Sequence, residues 1–174
     1  NLDESCDLIL INHQSMLDII VMEHLHSRNI AWVAKKEITD LFFFGHIIKA
    51  PRMISIDREN KAGLIHLLSE AKDRLSKGRP IAMFPEGTRS DGTYIGEFKA
   101  GAKMVGNKFN LKVQPVVMFN TRNIVNSQKM EAAPGVVKVI YLEPIVASKD
   151  TSWYEDCEKN MKEVFEKEYK NYVS

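Results

Sequence analysis

A chain of 174 residues with 44% hydrophobic and 27% charged side chains has the balance of one globular domain with a sizeable core, and not that of a disordered segment. Its 24 basic and 23 acidic residues leave a formal net charge of +1, which excludes a global field for nucleic acid and confines any basic site to a local patch. No run reaches the ~20 apolar residues that span a bilayer, so no transmembrane helix is expected in this chain.

In chain order, the first signal is Leu8 to Ile11, four apolar residues that read as a buried strand. Ser15 to His26 follows with Leu17, Ile20, Val21 and Leu25 at helical spacing. Ile30 to Ala34 and Met53 to Ile56 read as strands, separated by the apolar run Leu41 to Ile48, which Gly45 and His46 interrupt. Leu64, Leu67, Leu68, Ala71 and Leu75 mark a second helix, with Gly78 as its stop. Pro80 to Phe84, Val113 to Phe119 and Val136 to Leu142 complete the strands. A last helix starts near Ser152 and carries Tyr154, Cys157, Met161, Val164, Phe165 and Tyr169. Short, continuously apolar strands alternating with helices predict an α/β fold: a single domain with a mixed, mostly parallel central sheet flanked by helices. In such a fold the functional groups sit where loops leave the carboxyl ends of the strands.

Two of those exits carry chemistry. After the first strand comes Asn12-His13-Gln14-Ser15-Met16-Leu17-Asp18. With His13 in the loop, Ser15 as N-cap and Asp18 at the third helical position, the Asp18 carboxylate leans back toward His13. It can then accept the Nδ1 proton and leave Nε2 free as a base. The bland alternative is that Ser15 and Asp18 form only a capping box. After the Pro80 strand comes Pro85-Glu86-Gly87-Thr88-Arg89-Ser90, where Gly87 permits a tight turn with exposed amides and Arg89 offers a planar donor fork to an anion. Its bland alternative is a surface turn in which Glu86 pairs with Arg89.

Other chemistries find no support. There is no phosphate-binding G-x-x-x-x-G-K-[ST] loop, no dinucleotide G-x-G-x-x-G and no G-x-S-x-G elbow. His24, His26, His46 and His66 lack zinc spacing and read as structural or exposed. Cys6 and Cys157 also lack metal-ligand spacing and read as reduced thiols in a cytosol-facing protein.

Taken together, the two exits resemble the lysophospholipid acyltransferase family, and most closely its bacterial-type 1-acylglycerol-3-phosphate acyltransferases. His13 and Asp18, with four residues between them, resemble the first motif. Ala34-Lys35-Lys36-Glu37 and Phe44-Gly45 resemble the next segment, and Ile54-Ser55-Ile56-Asp57-Arg58 the second motif. Phe84-Pro85-Glu86-Gly87-Thr88-Arg89-Ser90 matches the third motif throughout, with Phe98-Lys99-Ala100-Gly101-Ala102 after it. Val113-Gln114-Pro115-Val116-Val117 resembles the fourth, and Leu142-Glu143-Pro144-Ile145 the segment beyond. One departure is Arg52, six residues before Arg58, where the family commonly has Gly.

The resemblance implies a glycerolipid acyltransferase domain over residues 1–174. His13 is then the general base and Asp18 its orienting carboxylate. Arg58, Glu86, Gly87, Thr88 and Arg89, with Lys36 and Lys99 as further cations, are the implied acceptor site. Glu86, repelled by a phosphate, suits fixing an arginine or accepting from a glycerol hydroxyl. The implied acceptor is lysophosphatidate and the donor acyl-CoA or acyl-carrier protein, with no metal or cofactor. The Arg52 departure leaves a second acceptor class open, including a lyso-ornithine lipid, and a non-catalytic lipid-binding module is the remaining alternative. Lipid substrates imply a membrane surface as partner, on the cytoplasmic face of a bacterial inner membrane. Leu41 to Phe44, Ile47 and Ile48, with Lys49 and Arg52, either dock on it or form a core helix. Because the chain opens on Asn1 and enters an apolar run within eight residues, a missing upstream membrane anchor is also an expectation.

Overall fold

The computed structural model describes residues 1–35, 53–56 and 61–173. The described strands are β1 (Leu8–Ile11), β2 (Ala31–Lys35), β3 (Ile54–Ile56), β4 (Ile81–Met83), β5 (Lys112–Phe119), β6 (Val125–Asn126), β7 (Glu131–Ala132), β8 (Lys138–Tyr141) and β9 (Ile145–Val146). The helices are α1 (Leu17–Leu25), α2 (Lys61–Ser76), α3 (Ala100–Phe109), α4 (Thr121–Ile124) and α5 (Trp153–Val173). The main sheet runs β3-β2-β4-β1-β5-β8, with β9 also on β5, and β6 pairs with β7 as a separate hairpin. Strands β3, β2, β4, β1 and β5 are mutually parallel, whereas β8 and β9 run antiparallel to β5. The predicted α/β domain with a mixed, mostly parallel sheet is therefore the one observed.

Both sheet faces are covered, which is why the strands read as unbroken apolar runs. Leu8 and Leu10 point into a large core shared with Leu67 of α2, Val105 of α3 and Trp153, Met161 and Phe165 of α5. Ile9 and Ile11 point the other way, into a smaller core with Met22 of α1, Trp32, Val116 and Met118. So α1, leaving β1, and α3, following β4, pack on opposite faces of the sheet although β1 and β4 are neighbours. The carboxyl edge between β1 and β4 is thus a point where successive connections go to opposite faces, the usual ligand position of an open α/β sheet.

Pro115 has no N–H to give a sheet, yet it lies inside β5. It sits where the partner of β5 changes: Lys112 and Val113 face β9, and Val116 to Phe119 face β8. In the gap the buried Gln114 side chain donates from Nε2 to the Leu142 carbonyl at 2.6 Å, and the Leu142 amide donates to the Pro115 carbonyl at 3.0 Å. A side chain thereby completes the ladder that a proline interrupts.

Candidate active site

His13 follows β1 by two residues, and Asp18 lies in the first turn of α1. Nδ1 of His13 is 2.8 Å from Oδ2 of Asp18. That oxygen also accepts the backbone amides of Gln14 at 2.8 Å and Ser15 at 2.9 Å, while Oδ1 accepts the Thr121 hydroxyl at 2.5 Å. A carboxylate only accepts, so Nδ1 carries the proton and Nε2 is left with its lone pair. The expected helix start is off by one residue. Met16, not Ser15, is the N-cap, and Asp18 is the second helical residue. The Ser15 hydroxyl instead accepts the Leu17 amide and donates to the Val125 carbonyl at 2.6 Å, tying the helix start to β6.

The imidazole is held on three sides. It stacks on Phe84 with ring centroids 3.7 Å apart at 14°, and Phe84 in turn stacks on Trp32. At the far nitrogen, Nε of Arg89 donates to Nε2 at 3.4 Å, and Nη1 of Arg89 donates to the Ser127 hydroxyl at 3.0 Å. The His13 side chain keeps 12% of its surface open, so the ring is accessible and not sealed in the core. Burial pushes its pKa below the ordinary histidine value, against the pull of Asp18 and with help from the Arg89 charge. At neutral pH the ring is therefore an unprotonated base.

The turn after β4 is fastened to the turn after β1. Glu86 is 3% exposed. Its Oε1 accepts the His13 amide at 2.8 Å and its Oε2 accepts the Gly96 amide at 2.6 Å. The Ser90 amide donates to the His13 carbonyl at 2.8 Å. Burial pushes the Glu86 carboxyl above its usual range, opposed by those two amides. Gly87 has φ +74°, the left-handed turn expected of it. Its amide closes that turn onto the Phe84 carbonyl at 3.0 Å rather than standing open to an anion. Thr88 is exposed, Arg89 half-buried, and Lys99 exposed immediately before α3. Lys36 and Arg58, like Arg52 and the Leu41 to Ile48 run, lie outside the described residues.

The acyltransferase family matches residues 3–119, well over half of the chain.

The chain belongs to the acyltransferase family.

Among its relatives, the 1-acyl-sn-glycerol-3-phosphate acyltransferase of Helicobacter pylori is 42% identical over 96% of this chain and 71% of its own length. The lyso-ornithine lipid O-acyltransferase of Brucella abortus is 32% identical over 70% of this chain and 48% of its own. The crystal structure of the 1-acyl-sn-glycerophosphate acyltransferase from Thermotoga maritima shares the fold, with a TM-score of 0.75 at 24% identity, over 99% of this chain and 68% of that one.

Several residues that hold this acyltransferase site together carried no motif signal of their own. Thr121 follows β5 as His13 follows β1, and only the strand order brings its hydroxyl to Asp18. Asn12 clamps the Met118 backbone with both ends of its amide, at 3.0 and 2.7 Å, which extends the β1–β5 ladder by one side chain. Ser127 lies between β6 and β7, a hairpin whose strands are two residues each and leave no periodic pattern to read.

Proposed function

We propose that this acyltransferase moves a fatty acyl group from a thioester, acyl-CoA or acyl-carrier protein, onto the free hydroxyl of 1-acylglycerol 3-phosphate. The observation that carries the reading is the His13–Asp18 pair, whose unprotonated Nε2 faces Arg89, in a chain 42% identical to a protein named for that activity. The acceptor hydroxyl gives its proton to Nε2 as its oxygen attacks the thioester carbonyl. Asp18 holds the ring and stabilises the imidazolium. The C–S bond then breaks, and the thiolate leaves with the proton from Nε2. The steps need no enzyme nucleophile and no cofactor beyond the donor. Arg89, and on motif resemblance Arg58, Lys36 and Lys99, serve the phosphate, with Gly87 and Thr88 shaping the turn. Glu86 acts as the brace between the two turns.

Residues 1–174 form the catalytic domain in this reading, and the Leu41 to Ile48 run is its contact with the lipid surface. Among the described residues no helix is long and apolar enough to cross a membrane. The deciding assay follows thiol release from acyl-CoA with lysophosphatidate added. Wild type turns over, and His13→Ala loses on the order of 10³ to 10⁴ in rate while keeping its circular dichroism. Near-normal turnover by that variant rejects the base. The Brucella relative motivates a second reading, a lyso-ornithine acceptor. An acceptor panel with and without a phosphomonoester separates the two, and equal rates on both count against Arg89 as a phosphate ligand.

A further inference from the structure

The one lone pair the proposed reaction needs is already occupied. Nε2 of neutral His13 has a single in-plane lone pair, and Nε–H of Arg89 donates to it at 3.4 Å. An acceptor hydroxyl cannot hand its proton to that nitrogen while the guanidinium sits there. Arg89 is also tethered at its other end, through Nη1 to the Ser127 hydroxyl at 3.0 Å. Ser127 belongs to the β6–β7 hairpin, which Ser15 fastens to the start of α1. Both partners of the guanidinium among the described residues are neutral. A phosphate dianion offers the same five donors paired, charge-assisted bonds that are about twice as strong.

We propose that Arg89 caps the catalytic base in the unliganded protein, and that the acceptor's phosphomonoester uncaps it by drawing the guanidinium away from Nε2. The acceptor's headgroup thus switches on the group that deprotonates its hydroxyl. This rests on the reading of His13 as base and Arg89 as phosphate partner, and it adds a distinct consequence. Water is the competing acceptor. It would give a proton to Nε2, attack the thioester carbonyl, and release fatty acid and thiol by the same bond changes as transfer. The cap withholds the base from water until a phosphate-bearing acceptor arrives, so the donor is not hydrolysed in its absence. Ser127 is a positioning residue for the capped state.

The test divides the acceptor into two pieces. The protein is given acyl-CoA and a monoacylglycerol, which has the hydroxyl but no phosphate, with and without inorganic phosphite dianion. Phosphite is expected to raise thiol release by about tenfold or more, the scale of one charge-assisted hydrogen bond. Arg89→Ala is expected to raise phosphate-free turnover and acceptor-free hydrolysis severalfold above wild type and to abolish the phosphite response, while transfer to lysophosphatidate falls. Ser127→Ala, which removes only the tether, raises the phosphate-free rate in the same direction. If phosphite leaves the wild-type rate unchanged, or if Arg89→Ala leaves phosphate-free turnover at or below wild type, the cap is overturned. The phosphite arm uses the unmodified chain and decides the matter even if Arg89→Ala does not fold. His13→Ala with intact lysophosphatidate keeps the two readings apart. Retained turnover there rejects the base itself, whereas lost turnover with no phosphite effect rejects only the cap.

Discussion

At the scale of single residues, Asp18 has the most to hold. Four hydrogen bonds converge on its carboxylate, from His13, Gln14, Ser15 and Thr121. Asp18→Asn would keep only one acceptor oxygen, put an NH2 group in place of the other, and remove the negative charge that stabilises the imidazolium. A fall in kcat on the order of 10² to 10⁴ is expected, measured by thiol release. The pH profile follows from the shift at His13. Its pKa lies below the ordinary 6.5, chiefly through burial, and among the described residues the charged or titratable groups around it are Asp18, Arg89 and Glu86. The active form is the neutral ring, so the acid limb of activity is expected below the ordinary histidine value of 6.5. Asp18 supports the charged ring, so its removal moves this acid limb to still lower pH. The same shift penalises folding at acid pH, because the unfolded chain takes up the proton first. A limb above pH 7 in wild type contradicts this assignment. The His13–Asp18 contact was legible in the sequence because five residues and one helix start fix it locally. The Glu86 brace was not, because its partners His13 and Gly96 are set by tertiary structure. Glu86→Gln keeps one acceptor oxygen and turns an NH2 toward the other amide, at a cost of about 1–3 kcal/mol in urea unfolding.

At the scale of elements, helix α3 shows how packing overrides propensity. Gly106 lies in its interior, where alanine is intrinsically better by about 0.5–1 kcal/mol. A Cβ at Gly106 would lie 2.7 Å from Cζ2 and 2.9 Å from Cη2 of Trp153, the first residue of α5, and 3.0 Å from Cβ of Ala147. The indole cannot retreat freely, since its Nε1 donates to Asn107 Oδ1 at 2.7 Å. Gly106→Ala is therefore expected to destabilise by about 1–3 kcal/mol despite its helix propensity, read as a lower urea midpoint with an unchanged slope. Stabilisation would show that α5 yields. Strands β1, β2, β3, β4, β5 and β8 were legible to within a residue or two as short apolar blocks, whereas the two-residue strands β6, β7 and β9 are too short to leave a pattern. Helix α3 itself escaped the pattern: Ala100–Phe109 carries two glycines and few large apolar side chains, so its buried face of Ala102, Val105 and Gly106 gives little periodic signal.

At the scale of the whole molecule, the site depends on a strand order that periodicity does not encode. Composition and alternation predict a parallel sheet, but not that β1 lies between β4 and β5, and that order is what brings His13, Glu86 and Thr121 to one edge. The opposite face carries the larger core, with α5 as its outer layer. Phe165 of α5 is buried there and stacks on Phe119, the last residue of β5, with centroids 4.8 Å apart at 13°. Two residues later Thr121 reaches Asp18. Phe165→Ala thus removes a large side chain behind the strand that delivers one of the supports of Asp18. Its cost to folding is expected at about 3–5 kcal/mol, lost from a single cooperative transition. The turn after β5 is also held from the catalytic side, by the two Asn12–Met118 bonds and by Thr121 itself, so the geometry at Asp18 should survive in the molecules that remain folded. The expected outcome is a large drop in urea midpoint with kcat per folded molecule within about twofold of wild type, since a fixed contact network transmits little of a distant cavity. A loss of kcat beyond tenfold at a temperature where the variant is fully folded would instead mean that the rear layer sets the position of the dyad, and that the stability of this fold and its chemistry are one cooperative property.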